Sequence, residues 1–266
     1  MQKVKSALVV SILFLAIPCQ SRELAVLQPG APATAEEAMP YLKSFCGYLQ
    51  GKLGGKALDP VFISDPEKAA GYLSKHSPAY AMISIGIYLS NAKTYHMKPL
   101  AQIVVHDKKS SPYYIMAKKG TFTNLEDLKG KTLAGNIFFE PEIFFKLALK
   151  GRFKSGDFKI KSTTRTLRFI RKAARGKIDA VVINERAYDS LGDIKLPAEL
   201  SVIAKTLPVP NPVFVGFENR DSVKDEAAML KALLQLCDDE KGKKICKNFG
   251  FDRLDAVSAK DLPKPW

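Results

Sequence analysis

The sequence predicts an α/β protein of two lobes, each a mainly parallel sheet flanked by helices, joined by two extended hinge segments. Three observations lead there. Strand-like runs alternate with helical patterns twice in tandem, over residues 23–86 and again over residues 120–183. Such alternation marks parallel strands joined by crossover helices. Extended stretches at residues 100–105 and 113–117 lead out of the first run, and Pro-Val-Phe-Val-Gly-Phe at residues 212–217 leads back. A helical pattern follows that return, so the first lobe is discontinuous in sequence and the paired connections form a hinge.

In order, residues 23–27 read as a strand, followed by a turn holding Gln28, Pro29, Gly30 and Pro32. Thr34 and Glu37 form a capping box, in which each side chain satisfies the other's backbone N–H. The helix it opens runs to about Leu53, with Met39, Leu42, Phe45, Cys46 and Leu49 at helical spacing. Residues 61–63 form a second strand, and Asp65-Pro66 starts a helix by the cap-then-proline rule. Residues 80–83 form a third strand that ends at Ser84-Ile85-Gly86. In the second run, Thr123 and Glu126 make another capping box, residues 131–134 a strand, and Pro141 a helix start. Residues 158–161 and 178–183 are strands on either side of a helix at residues 167–176. Ser222 opens a long late helix with Ala227, Leu230, Leu233, Leu234 and Leu236 on its apolar side. The expected division is residues 22–106 with 213–266 for lobe one and residues 107–212 for lobe two.

Residues 1–21 read as an export leader. Lys3 and Lys5 precede an apolar run at residues 7–17 that only Ser11 interrupts, shorter than the about 20 residues a membrane span needs. Pro18 ends the run, and Cys19 and Ser21 put small residues before a cut at Arg22. A lipoprotein leader acylated on Cys19 is the alternative, which Pro18 fits poorly. The periplasm is the expected location.

Formal charge is +14, compatible with anionic ligands, nucleic acid or membrane surfaces without choosing among them. Export argues against nucleic acid, and a solvated basic surface accounts for the balance. Cys237 and Cys246 flank the helix-breaking stretch Asp238-Asp239-Glu240-Lys241-Gly242 and are the plausible disulfide pair, with free thiols as the alternative. His76, His96 and His106 lie at no ligand spacing, so no metal or other cofactor is expected. Nucleophile elbow, Walker loop and Gly-x-Gly-x-x-Gly are missing from the sequence, which argues against an enzyme.

Several stretches stand in a telling order: Tyr-Ala-Met-Ile-Ser-Ile-Gly-Ile-Tyr at 80–88, Tyr-Tyr-Ile-Met-Ala-Lys-Lys-Gly at 113–120 and Asn-Leu-Glu-Asp-Leu-Lys-Gly-Lys at 124–131. Residues 172–182, Pro-Val-Pro-Asn-Pro at 208–212 and the late Leu-Leu-x-Leu helix complete the set. In that order they resemble the phosphate/phosphite/phosphonate ABC transporter substrate-binding proteins. The resemblance implies a type II periplasmic binding fold and capture of a small ligand by hinge closure. It also implies a membrane permease of an ABC importer as partner and a monomeric binding subunit.

Ligands in such folds lie beyond the carboxyl ends of strands. Four loops would face that cleft, and the candidate ligand-binding residues are Gln28, Thr34, Ser84, Gly86, Tyr88, Tyr114, Asn136, Phe138, Arg165, Asn184 and Glu185. Thr34 is better suited to capping its own helix. Tyr88 and Tyr114 read equally as core tyrosines. Phe139 suits a hydrophobic staple onto Ile143 or Phe144. Glu185 can meet a ligand amine or hydroxyl, or cap the next helix. The family carries a Ser/Thr-rich loop where this chain has Gly135-Asn136-Ile137-Phe138-Phe139-Glu140, with no hydroxyl. A buried dianion left without donors costs several kcal/mol, so a ligand with a more apolar body is an alternative to a phosphonate. Reporting to a membrane receptor or kinase is the alternative to transport.

Overall fold

The computed structural model describes residues 22–218 and 224–266. Lobe one is built on a six-stranded sheet of order β13-β4-β12-β3-β1-β2. Its strands are β1 (Arg22–Leu27), β2 (Leu58–Ile63), β3 (Tyr80–Ile83), β4 (Met97–Val104), β12 (Val213–Phe217) and β13 (Arg253–Ala256). Lobe two carries a five-stranded sheet of order β10-β6-β9-β7-β8. It comprises β6 (Tyr113–Lys118), β7 (Thr132–Gly135), β8 (Lys159–Ser162), β9 (Ala180–Asn184) and β10 (Leu200–Lys205). The short β5 (Ser110–Ser111) and β11 (Val209–Pro210) pair antiparallel with each other where the chain crosses between lobes. The two-lobed architecture is therefore as the sequence predicts, but the sheets are mixed rather than mainly parallel. β12 runs antiparallel to β3 and β4, and β6 runs antiparallel to β9 and β10. The crossing strands enter each sheet from the hinge end, against the direction of the β/α runs.

Period-two burial explains the layering. In β1, Leu24 and Val26 face one apolar cluster while Ala25 and Leu27 face another. The first face is covered by α1 (Ala35–Lys52), α6 (Glu226–Leu234) and α7 (Glu240–Phe249), through Leu42, Phe45, Leu49, Met229, Leu233 and Ile245. The second is covered by α2 (Pro66–Lys75) and α3 (Ile85–Asn91), through Leu73, Ile87 and Tyr88. In lobe two, α4 (Thr166–Ala174) and α5 (Glu185–Asp189) follow β8 and β9, and Phe169 and Ile170 of α4 pack with Tyr114 and Met116 of β6. The cluster under α3 also contains Ile143, Phe144 and Phe145 of lobe two, so apolar packing is continuous across one side of the molecule.

Local expectations differ from the structure at three places. The second reciprocal cap joins Asn124 and Asp127, not Thr123 and Glu126: Asp127 donates its N–H to Asn124 Oδ1 and accepts from the N–H groups of Thr123 and Asn124. Glu126 pairs with Arg152 instead. Pro141 does open a helical segment, but Ile143–Ala148 winds in the wider π form. Its end closes with Leu149 N–H on the Phe144 carbonyl, beside the crowded rings of Phe138, Phe144 and Phe145. In the late helix, Asp225 occupies the N-cap position, and Ser222 lies outside the described residues. Ala227 and Leu234 are exposed, because the buried stripe is Met229, Ala232, Leu233 and Leu236.

Cys237 and Cys246 are disulfide-bonded, joining the end of α6 to α7. Cys46 is free and buried, and burial pushes its thiol up to about 12. No helix among the described residues is long and apolar enough to cross a membrane. The expected leader, residues 1–21 with Cys19, lies outside the described residues.

Candidate functional site

The carboxyl ends of β1 and β3 face those of β7, β8 and β9 across the gap between lobes. Two adjoining cavities, of about 430 and 300 Å³, lie there and share Gln28, Tyr113 and Asn184 in their walls. Asn136, Thr164 and Thr166 complete the polar lining of the larger one. The smaller reaches His106, Glu185, Arg186 and Asn211 toward the hinge.

The lobe one wall is set by two turns. After β1, the Gln28 N–H bonds the Ile63 carbonyl and the Gly30 N–H the Ser64 carbonyl. Gly30 has φ +73°, a left-handed conformation that favours glycine. After β3, Ser84 caps α3 by accepting from the Ile87 N–H at 3.2 Å. Thr34 and Glu37 form the expected capping box, so the Thr34 hydroxyl serves α1 and lies away from the cavity lining.

Lobe two sends the loop after β7 across to these turns. The Asn136 amide donates to the Gly30 carbonyl. Phe139 lies against Gly30 so closely that a Cβ there would stand 2.0 Å from the ring, so it spans the gap rather than serving only as a staple. Ser84 Oγ donates to Glu140 Oε1 at 2.6 Å. The Ile87 N–H also bonds Glu140, and burial outweighs both bonds, pushing its carboxyl up to about 7. Gly86 admits this carboxylate: a Cβ at that position would lie 2.2 Å from Oε1. Facing Glu140, the Tyr113 hydroxyl is held above its ordinary range by burial and then by that carboxylate.

Of the sequence-derived set, Gln28, Asn136, Asn184 and Glu185 line the two cavities, and Ser84 and Gly86 stand where Glu140 crosses between the lobes. Five others do neither, Thr34 with its hydroxyl on α1 being the first. Tyr88 is 1 % exposed and packed in the core, with its hydroxyl pushed up by burial. Tyr114 stacks on Tyr188 with ring centroids 3.8 Å apart. The cross-strand pairing explains this: Tyr113 pairs with Asn184 and Tyr114 with Ile183, so Tyr113 shares the gap-facing side and Tyr114 takes the opposite one. Phe138 turns into lobe two, edge-on to Phe144. Arg165 is exposed, while Thr164 and Thr166 on either side line the cavity. Sequence reasoning missed Tyr113 because Tyr-Tyr-Ile-Met carries no polar alternation to mark a face. Asn184 caps α5 through Ala187 N–H. Glu185 is buried, accepts from Lys108 Nζ at 2.9 Å through Oε1, and leaves Oε2 without a partner among the described residues.

The family model for the ABC transporter phosphonate periplasmic substrate-binding protein matches residues 34–262. The chain belongs to that family. Binding proteins of this family are extracytoplasmic partners of membrane permeases and constitute a transport family rather than an enzyme family. Among solved structures, this phosphonate-family binding protein is similar to XAC2383 from Xanthomonas citri bound to ATP, with TM-score 0.71, 14% identity, and 91% and 92% of the two chains covered. A binding protein of an ABC phosphonate transporter from Pseudomonas aeruginosa gives TM-score 0.67 at 14% identity, covering 91% and 83%. PhnD1 from Prochlorococcus marinus in complex with methylphosphonate gives 0.66 at 15% identity, covering 91% and 94%. At these identities the likeness establishes the fold. Comparison with curated proteins returns no match.

Proposed function

We propose that this chain captures a small polar solute between Gln28, Tyr113, Asn136, Thr164 and Asn184 and delivers it to an ABC permease without chemically altering it. The observation that carries the reading is the pair of adjoining cavities at the strand ends, beside the crossing ribbon of β5 and β11. A cavity with a few convergent amide and hydroxyl groups suits a small ligand. Residues 22–106 with 213–266 act as one closing body and residues 107–212 as the other. The working form is a monomer released into the periplasm by cleavage before Arg22.

Calorimetric titration of the purified protein against methylphosphonate, phosphite, sulfonates and uncharged polar metabolites tests this. Binding by at least one of them, lost in Tyr113→Ala and Asn184→Ala, is expected. Silence across the panel would count against the site, and turnover of a bound compound would count against simple carriage. Methylphosphonate, with which PhnD1 forms a complex, is the reference compound of the panel.

A further inference from the structure

The wall of lobe one offers two buried donors at the end of β3, the Ser84 hydroxyl and the Ile87 N–H, and both are met by a carboxylate from the other lobe. Glu140 is brought there by a loop with two further anchors, the Asn136 amide on the Gly30 carbonyl and the Phe139 ring against Gly30. Gly86 leaves room for Oε1 where any side chain would collide with it. The groups around the larger cavity, Gln28, Asn136, Thr164 and Asn184, are uncharged. Toward the hinge a second carboxylate, Glu185, keeps Oε2 buried and unpartnered, with Lys108 on its other oxygen and Arg186 beside the smaller cavity.

A carboxylate accepting two buried hydrogen bonds is what an incoming oxyanion head would itself have to be. To reach the same donors, such a head must displace Glu140 and leave that group buried, unpaired and close to a like charge. We propose that Glu140 is a specificity determinant that supplies its own carboxylate to Ser84 and Ile87, so the ligand meets this wall with an uncharged hydrogen-bonding group rather than a phosphonate or sulfonate head. The inference rests on reading the gap as the ligand site: Gly86, Ile87 and Glu140 line a cavity of about 200 Å³ that shares Pro29 with the larger one, and Tyr113, in the walls of both described cavities, faces Glu140.

The test is calorimetric titration of methylphosphonate and inorganic phosphate into wild-type protein, Glu140→Ser and Glu140→Gln. It is run at about pH 8, above the Glu140 titration. Glu140→Ser takes the carboxylate off both donors and leaves the Ile87 N–H only its cap bond to Ser84 Oγ, and Glu140→Gln removes the charge while keeping the shape, so a folding failure in one leaves the other. A gain of at least about a hundredfold over wild type in a folded variant is expected. Wild-type protein binding either oxyanion as tightly as the variants would overturn the role of Glu140 while supporting the site. Folded variants that stay silent to both oxyanions would overturn it too. The solute panel on wild-type protein tests the parent reading separately, since uncharged solutes that bind leave the site standing whatever Glu140 does.

Discussion

Glu140 gives the protein a titration that a surface carboxylate would not. Its folded value, about 7, lies above the ordinary 4.5 because burial outweighs the bonds from Ser84 and Ile87. The folded protein therefore holds this proton more tightly than the unfolded chain. Stability from the group is fully present below about pH 4.5 and is lost as pH rises toward 7. The loss amounts to roughly 3 kcal/mol at most. Urea midpoints of wild type should fall across that window relative to Glu140→Gln; parallel pH profiles would contradict the buried placement. Gly30 makes a second prediction at this scale. Its φ of +73° and the 2.0 Å approach of Phe139 to a would-be Cβ penalise any side chain. Gly30→Ala should cost about 1–2 kcal/mol for the left-handed backbone alone, with more from pushing Phe139 aside. An unchanged melting temperature would contradict both the left-handed backbone at Gly30 and the close approach of Phe139.

At the level of elements, what the sequence makes legible is local periodicity and caps. Thr34 with Glu37, and Asp65 before Pro66, cap α1 and α2 as their spacing demands, because a reciprocal cap depends on neighbours a few residues apart. The Asn124–Asp127 cap shows the limit: Thr123 and Asn124 both suit the role, and a one-residue slip is decided by which side chain the turn brings closer. The π-form turn at Ile143–Ala148 was not legible, since it accompanies the packing of Phe138, Phe144, Phe145 and Phe158, which come from separate segments. Which tyrosine of the pair faces the gap required the β6–β9 register for the same reason. The α6–α7 corner carries a prediction of its own. Tyr48 bonds Asp239, Phe45 and Phe249 sit 5.6 Å apart, and the disulfide closes a separation of 9 residues. Opening it with Cys237→Ser and Cys246→Ser should lower stability by roughly 2–3 kcal/mol, the chain-entropy value for so short a loop. The check is a chemical denaturation curve, and an unshifted midpoint would mean that α1 packing holds the corner by itself.

For the whole molecule, the relation of the lobes is set by contacts at opposite sides of the gap. On one side, the Trp266 N–H bonds the Leu89 carbonyl and its indole N–H reaches Ser90 Oγ, while Lys146 of lobe two lies 4.7 Å above the ring. At the hinge, the β5–β11 ribbon is fastened by side chains of the adjoining strands. Asn211 donates to the Ile103 and Lys108 carbonyls, and the buried Gln102 amide donates to the carbonyls of Lys109 and Asn211. Closure over a solute turns on these residues, because two short crossings bear the whole change in lobe angle. Removing the Asn211 side chain strips two hydrogen bonds, each worth about 1 kcal/mol, and leaves the sheets of both lobes untouched. Asn211→Ala should therefore speed amide exchange at Lys108 and Asn211 by about tenfold or more, since roughly 1.4 kcal/mol is a factor of ten. Amides in the middle of β1 and β9 should keep wild-type rates. Uniform acceleration across both sheets would mean that Asn211 supports global folding, whereas a change confined to the ribbon identifies it as the fastening on which the two lobes swing.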